Sequence, residues 1–270
     1  MAEREYRMVN RPALALNGVT KHFGGLTVAD NVSFEVPSGG RMALIGPNGA
    51  GKTTLFNLIS GVYPIDSGSI VLDGAPIDDL PPRKRVRAGL SRSFQNIRLM
   101  PHLSVIENVM LGQHTLANGF RALLGPLAWQ RNSHWRQLAK KSLHDAGIDV
   151  DPDADVSELS YGTRKKIEVV RALMSRPRLL LLDEPAAGLN SRETAELSAF
   201  LKSIAWEELT LLVVEHDMSF VHDLCERTIV LNFGRLIYEG STHGVQDDEE
   251  VRAAYLGSRR ITPKGANPAA

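Results

Sequence analysis

The sequence predicts an α/β fold in which a mainly parallel sheet is buried between helices. Short apolar runs, typical of strands buried on both faces, occur at Met42–Ile45, Leu179–Leu182 and Thr210–Val214. Each run is followed by a stretch with helical character, and this alternation favours a parallel sheet. A composition of 43% hydrophobic and 23% charged residues over 270 residues fits one large α/β domain, or one domain with an inserted subdomain.

A second, antiparallel sheet is predicted around the first parallel strand. From Leu14 to Val36 apolar and polar residues alternate in short runs, and the pattern breaks at Phe23–Gly25. Ile70–Gly74 predicts a strand and a tight turn that return to this sheet. Near the other end of the chain, Thr228–Leu231 and Leu236–Glu239 predict a hairpin.

Helices are predicted around these strands. The stretch 104–148 is largely helical, and from Trp135 onward it carries one apolar stripe. Further helices are predicted over 163–175 and 191–206. Pro81-Pro82 opens a short helix whose basic residues are expected to form a solvated face rather than a nucleic-acid patch. These residues are Arg83, Lys84, Arg85 and Arg87.

Charge and cysteine content narrow the class of protein. Lys+Arg and Asp+Glu balance at 31 each, which argues against a general nucleic-acid or anionic-membrane surface. The single Cys225 excludes an intrachain disulfide framework, and we expect it to be a small buried residue on a helix. The charged start, Met1–Glu5, does not resemble a signal peptide, and no apolar run approaches the ~18 residues of a membrane span. We therefore expect a cytosolic chain.

The stretch Gly46–Thr53 fits the phosphate-binding pattern G-x-x-x-x-G-K-[ST]. It lies between a predicted strand and a predicted helix, which is the context that the motif requires. Its glycines let backbone N–H groups point at an anion, and the following helix adds its positive end. Lys52 is expected to reach the β- and γ-phosphates, and the Thr53 hydroxyl to ligate Mg²⁺. The candidate nucleotide-binding residues here are Gly46, Asn48, Gly49, Gly51, Lys52, Thr53 and Thr54.

Polar residues also follow two other predicted parallel strands. Asp183 and Glu184 come after four leucines, and His216 comes shortly after Val214. Because ligands of such sheets bind at the carboxyl ends of strands, we expect these side chains beside the phosphate-binding loop. Asp183 would hold Mg²⁺, Glu184 would polarise the attacking water, and His216 would contact the γ-phosphate. Gln95, at the polar exit of another strand, is a further candidate for Mg²⁺ or water.

Ser160 and Gly162 stand at the start of the helix predicted over 163–175. Ser160 fits an N-cap, which needs no function. The same geometry offers backbone N–H groups, a hydroxyl and a positive helix end to an anion. A chain with one phosphate-binding loop and a second anion-binding helix start predicts a dimer, in which each serine motif faces the nucleotide of the other subunit.

In this order the motifs resemble those of the ATP-binding subunit of an ABC transporter, over roughly residues 12–257. Phe23 falls where that family places an aromatic ring that stacks on adenine, and a core phenylalanine in a hairpin is the alternative. The other resemblances are Gly46–Thr53 to Walker A, Gln95 to the Q-loop glutamine, Leu159–Gly162 to the signature, Leu179–Asp183 to Walker B, Glu184 to the catalytic base, Ala187–Asn190 to the D-loop and His216 to the switch histidine.

This resemblance implies a P-loop NTPase (RecA-like) core with an antiparallel β subdomain and an inserted α-helical subdomain. The core and antiparallel sheet would occupy about 12–94 and 163–241, and the helical subdomain about 95–162. Residues 1–11 and 258–270 are expected to be flexible tails.

Within the family, the chain is similar to the branch that imports branched-chain (hydrophobic) amino acids, and there to the larger ATPase subunit. The similarity rests on Tyr161 in the signature, Ala186–Asn190, the long insertion 114–135 and Tyr255–Gly257. It implies a subunit that hydrolyses ATP to energise uptake of branched-chain amino acids or a related amide, urea or aromatic acid.

The same resemblance implies the cofactors and partners. They are ATP with Mg²⁺, a second ABC ATPase subunit forming a hetero- or homodimer, two integral-membrane permease subunits and a periplasmic solute-binding protein, without nucleic acid. The chain would be peripheral, on the cytoplasmic face of the inner membrane, and the region 95–130 would face the permease.

Two other functions within the superfamily stay open at this point. One is the ATPase of an exporter or of a lipopolysaccharide-extraction system, which the copurifying membrane protein would identify. The other is a DNA-repair ATPase, which requires a long coiled-coil or zinc insertion and a basic groove that this chain lacks. A lone P-loop kinase would not need the signature segment.

Overall fold

The computed structural model describes residues 11–93, 96–115, 133–204 and 209–257. Apart from Arg11, the predicted tails lie outside these ranges, as does most of the insertion 114–135. The strands within them are β1 (Pro12–Phe23), β2 (Leu26–Pro37), β3 (Arg41–Ile45), β4 (Ser67–Leu72), β5 (Ala75–Pro76), β6 (Leu90–Arg92), β7 (Leu179–Asp183), β8 (Thr210–Val214), β9 (Arg227–Asn232) and β10 (Arg235–Ser241).

The described helices surround these strands and follow the predicted order. They are α1 (Lys52–Ile59), α2 (Pro82–Arg87), α3 (Val105–Leu111), α4 (His134–Asp145), α5 (Tyr161–Leu173), α6 (Ser191–Ser203), α7 (Met218–Leu224) and α8 (Glu249–Gly257). No helix in the described ranges combines the length and hydrophobicity needed to cross a membrane.

The larger sheet has the strand order β10-β9-β3-β8-β7-β6. Strands β6, β7, β8, β3 and β9 are parallel, and β10 pairs with β9 as the predicted hairpin. In the register, Val214 of β8 lies opposite both Leu44 of β3 and Asp183 of β7. The carboxyl ends of β3, β7 and β8 therefore meet at one edge of the sheet, as the sequence predicts.

The smaller sheet is antiparallel, with the order β2-β1-β4-β5. The predicted break at Phe23–Gly25 is the turn between β1 and β2, and β4 returns to pair with β1. Alternate residues of β7 separate two hydrophobic cores. Leu181 packs with the antiparallel sheet and α1, whereas Leu180 packs with the helices on the other face. This division explains why β7 is apolar at four consecutive positions.

Helices α3, α4 and α5 pack together beside the parallel sheet, and the predicted apolar stripe contributes Ala139 and Leu143 to their core. Helix α5 also touches β6, so it joins this helical region to the sheet. The subdomain boundaries at 95 and 162 remain a prediction. Cys225 lies immediately after α7 rather than within a helix, and burial raises the pKa of its thiol to about 12. Since only the thiolate is nucleophilic, this thiol is unreactive near neutral pH.

One of the basic residues on α2 departs from the expected solvated face. Arg85 is 1% exposed, whereas Arg83, Lys84 and Arg87 are exposed as predicted. The Arg85 guanidinium donates hydrogen bonds to the carbonyl oxygens of Leu58 and Ile59 at 2.7 and 2.9 Å. These carbonyls belong to the last residues of α1, where a helix runs out of N–H partners; the Leu58 carbonyl also accepts from the Gly61 N–H at 3.1 Å. The need to satisfy a buried helix end explains the buried arginine.

Candidate functional site

The phosphate-binding loop runs from the end of β3 at Ile45 to the start of α1 at Lys52. Gly46 and Gly51 have φ angles of 152° and 104°. A Cβ atom would lie 2.1 Å from a backbone oxygen at Gly46 and 2.5 Å from one at Gly51. Glycine is required at both positions because the loop curls tightly against neighbouring backbone.

The Lys52 ammonium lies within this loop. Its Nζ donates to the carbonyl oxygens of Gly46 and Pro47 at 2.7 and 3.0 Å. Burial lowers the pKa of Lys52, while the nearby Glu184 and Asp183 carboxylates act to raise it. The interaction with both carboxylates means that the fold brings the end of β7 close to the phosphate-binding loop. Thr53 is exposed in the first turn of α1.

Asp183 is the last residue of β7, and its carboxylate pairs with a residue that sequence reasoning missed. Arg92 donates from Nη2 to Asp183 Oδ2 at 2.7 Å, and both side chains are 8% exposed. Arg92 also donates from Nη1 to Asn57 Oδ1 at 2.7 Å and to Ser60 Oγ at 3.1 Å. Arg92 therefore links β7 to the helix that follows the phosphate-binding loop. A signal was present, since Arg92 ends the strand next to β7.

Glu184 turns the backbone away from the strand at its carboxyl end. Its φ of 46° is unusual for a residue with a side chain. The Glu184 N–H donates to the Val214 carbonyl at 2.9 Å, and the Glu184 carbonyl accepts from the Ala187 N–H at 3.1 Å. Strained backbone of this kind persists when its surroundings hold it, and it is concentrated at functional sites. Glu184 is half-buried.

His216 follows β8 at the same edge of the sheet, and its side chain is 66% exposed. Glu215 lies between the last residue of β8, Val214, and His216, and it is a second residue that sequence reasoning did not select. Glu215 is 1% exposed and accepts hydrogen bonds from the backbone N–H groups of Ala186 and His216 at 2.7 and 3.0 Å. Burial raises the pKa of Glu215, and these N–H donors partly oppose that effect. Its position directly after five buried strand residues was the signal in the sequence.

The signature segment lies at the start of α5. The Ser160 hydroxyl accepts from the Thr163 N–H at 3.1 Å, which confirms the predicted N-cap. Gly162 is buried, and a Cβ there would lie 3.1 Å from Glu193 Oε1 in the first turn of α6. In the described part of the chain, the hydrogen bonds of the Ser160 side chain are to Thr163, and the hydroxyl is exposed. This helix start is therefore open to a group from outside the chain.

Phe23 lies at the turn between β1 and β2 and is 43% exposed. It is therefore not the core phenylalanine of the alternative interpretation. Its ring meets Tyr63 edge-on, with 5.1 Å between centroids, and Lys21 Nζ lies 5.4 Å from its centroid. The remaining candidate, Gln95, lies outside the described residues.

Comparisons with known proteins identify the family. Residues 29–187 match the sequence profile of the family described as ABC transporter.

The chain belongs to the ABC transporter family.

Relatives of known type and structure support this assignment along most of the chain. It is 38% identical to the high-affinity branched-chain amino acid transport ATP-binding protein BraF of Pseudomonas aeruginosa, over 92% of this chain and 99% of BraF. The ADP conformation of the ATP-binding cassette MJ1267 superposes with a TM-score of 0.80 at 27% identity, over 91% of this chain and 99% of that one. The dimeric post-hydrolysis structure of the cassette MJ0796, bound to ADP and Pi, superposes with a TM-score of 0.70 at 26% identity, over 85% and 98%.

This membership establishes the general activity of the chain. It is a nucleotide-binding subunit that hydrolyses ATP to power transport, and it has the predicted P-loop ATPase fold. The residues at the carboxyl edge of the parallel sheet are the candidates for that chemistry.

Proposed function

We propose that this ABC ATPase energises uptake of branched-chain amino acids or of a related amide, urea or aromatic acid. The observation that carries the proposal is the match to BraF over nearly the full length of both chains. In this proposal the chain lies on the cytoplasmic face of the inner membrane. It acts there with a second ATPase subunit, two permease subunits and a periplasmic binding protein.

The test is purification of the membrane complex through a tag on this chain. The proposal expects a two-part permease and, from the same system, a binding protein that takes leucine or one of the related solutes. Calorimetric titration of that binding protein with leucine, urea, short amides and aromatic acids identifies the solute. Copurification of an exporter or of lipopolysaccharide-extraction membrane proteins, with no binding protein, would replace this function with the alternative.

In the proposed site, the phosphates of ATP are held by the backbone N–H groups of the loop Gly46–Thr53 and by Lys52. The positive φ angles of the loop glycines and the start of α1 directly after the loop support this role. Asn48, Gly49, Gly51 and Thr54 belong to the same cradle or to its first helical turn.

The Thr53 hydroxyl and the Asp183 carboxylate fit the oxygen ligands that Mg²⁺ prefers, with Gln95 as a third candidate. Mg²⁺ usually takes only one or two carboxylates from a protein and the rest of its shell from phosphates and water, so this small donor set suffices. A bound Mg²⁺ would neutralise charge on the phosphates. The Arg92–Asp183 pair holds the carboxylate at the edge of the sheet where these groups converge.

Glu184 is the proposed general base, and it accepts the proton of the attacking water. Its place next to Asp183, near Lys52, supports this role. The exposed His216, at the end of the neighbouring strand, contacts the γ-phosphate. These two side chains follow adjacent parallel strands, β7 and β8, at the same edge of the sheet.

Ser160 and Gly162 are proposed to complete the nucleotide site of a second ATPase subunit. The exposed hydroxyl and the helix start at Ser160 support this arrangement. The neighbour MJ0796 is a dimer in its post-hydrolysis state. In the complex, the second subunit is either a copy of this chain or a related ATPase.

The permease is proposed to contact a groove between the sheet and the helical region. This groove has a volume of about 380 Å³. It is mainly apolar and includes Val62, Val86, Met100 and Leu111, with Glu168 and Arg171 at its polar side. Its position beside residues 96–100, which follow Gln95, supports a connection between the permease and the nucleotide site.

Replacing Phe23 with Ala should raise the KM for ATP by about 5- to 150-fold, because stacking is worth roughly 1–3 kcal/mol per base. The kcat should change little, since the ring does not touch the reacting phosphate. ATPase assays over a range of ATP concentrations measure both constants. The matched control is Leu26→Ala, because Leu26 is 66% exposed at the same turn. Equal effects of the two changes would show that Phe23 supports the turn and does not bind adenine.

A further inference from the structure

Glu215 is a buried carboxylate to which the proposed function above assigns no role. It follows the five buried residues of β8 and precedes His216. Only 1% of its surface is exposed. Burial of an ionised group is costly unless the group is hydrogen-bonded, so a carboxylate at this position needs a specific partner.

Each oxygen of Glu215 accepts a hydrogen bond from a different segment of backbone. Oε1 accepts from the Ala186 N–H at 2.7 Å, and Oε2 accepts from the His216 N–H at 3.0 Å. We call this arrangement the Glu215 bridge, meaning the Glu215 carboxylate with the backbone N–H groups of Ala186 and His216.

The bridge begins where the pairing of β7 and β8 ends. The last backbone hydrogen bond between the two strands runs from the Glu184 N–H to the Val214 carbonyl at 2.9 Å. Beyond it, Glu184 turns away with a φ of 46°, and the Glu215 side chain takes over the connection at Ala186. The strained residue Glu184 is thus fixed to β8 on both sides, by main chain before it and by a side chain after it.

We propose that Glu215 is a positioning residue for ATP hydrolysis. Its carboxylate holds the backbone at Ala186, two residues after Glu184, in fixed relation to the backbone of His216. This inference rests on the proposed roles of Glu184 as general base and His216 as γ-phosphate contact. Because Glu215 is 1% exposed, we assign it no direct contact with the nucleotide or with the attacking water. It acts indirectly, because Glu184 and His216 lie on two backbone segments that the Glu215 carboxylate connects.

The bridge requires an acceptor at both ends. A carboxylate is acceptor-only when ionised, whereas the amide of Gln has one acceptor oxygen and one NH₂ donor. Glu215→Gln would therefore direct an N–H donor at the N–H group of Ala186 or of His216. The size of the side chain stays the same, so this change breaks one end of the bridge without opening a cavity.

The experiment measures ATPase kinetics of Glu215→Gln in the assembled complex. Because a small misplacement of catalytic groups costs about 10²-fold, we expect kcat to fall by roughly 10- to 100-fold with an unchanged KM for ATP. Glu215→Asp keeps the charge but is one methylene shorter, and it should give a smaller loss of kcat. The control is Thr228→Val in β9, which removes a buried side-chain hydrogen bond to Thr242 away from the nucleotide. It should leave kcat unchanged.

A double-mutant cycle separates positioning from general stability. In the Glu184→Gln background, adding Glu215→Gln should lower residual single-turnover hydrolysis by a clearly smaller factor than it does in the wild type, because one of the two positioned groups, Glu184, is already absent and only His216 remains to be displaced. An additive loss, or an unchanged kcat for a folded Glu215→Gln complex, would overturn the inference. If Glu215→Gln does not fold, the same two outcomes are decided with Glu215→Asp. Normal turnover by Glu184→Gln alone would instead refute the proposed role of Glu184 as general base, so the two failures can be told apart.

Discussion

Replacing Glu184 with Gln should nearly abolish ATP hydrolysis while ATP binding is retained. The amide cannot accept the proton of the attacking water, and general-base help is worth roughly 10²–10⁴ in rate. The Gln side chain is nearly the same size as that of Glu, and the hydrogen bond to Val214 is made by the main chain. The turn at φ 46° and this hydrogen bond should therefore be preserved. The loss should therefore appear in kcat rather than in affinity.

The same change should trap a dimer with bound ATP. Removal of the Glu184 charge lowers repulsion toward the γ-phosphate, and without hydrolysis the closed state does not reset. Phosphate release measures turnover, equilibrium binding of a fluorescent ATP analogue measures affinity, and light scattering measures the mass of the complex. A larger mass that depends on ATP is expected for the variant.

The matched control for this prediction is Glu226→Gln. Glu226 is an exposed carboxylate, 68% accessible, that pairs with Arg41 at 2.6 Å outside the candidate site. Its replacement should leave turnover, binding and mass unchanged, since exposed ion pairs contribute little. Wild-type turnover by Glu184→Gln would remove Glu184 from its proposed role.

A mixed dimer with Lys52→Ala in one chain and Ser160→Ala in the other should keep one intact nucleotide site. In the shared-site arrangement, Lys52 of one subunit and Ser160 of the other serve the same ATP. The two lesions then fall on one site and leave the second complete. When both lesions are in one chain and the other is wild type, each site loses one component and turnover should collapse.

Two differently tagged copies of the chain allow these mixed dimers to be purified and their phosphate release compared. If Lys52 and Ser160 of the same chain served one nucleotide, the result would be reversed. Activity would survive when both lesions share a chain and would disappear when they are separated. Absence of any dimer between copies, with activity restored by a second ATPase chain, would assign the partner role to that other chain.

The main elements of the fold were predictable because their signals are local in sequence. The glycines at positions 46 and 51 have positive φ angles, which is a local property of the loop, and the alternation in β1 and β2 reports burial of one face. The four leucines of β7 predicted a strand buried on both faces, and two hydrophobic cores lie against it. The N-cap role of Ser160 follows from the residues next to it.

Other features depended on neighbours far away in the chain. The basic pattern of α2 suggested a solvated helix, but Arg85 is buried because the carbonyl groups at the end of α1 lie beneath it. The predicted helix over 191–206 ends at Ser203. Local spacing does not reveal which helix end another segment covers.

The sequence by itself determined the phosphate-binding loop, the strand-end carboxylates and the order of motifs that marks an ABC ATPase. Only the tertiary structure decided which buried charged groups form contacts with the residues around these motifs. Arg92 pairs with Asp183, which is 91 positions away, and Glu215 binds the N–H group of Ala186 across 29 positions. The physical reason is that a motif records the backbone and side chains of one segment, whereas a buried charge is stabilised by whichever segments the strand order places around it.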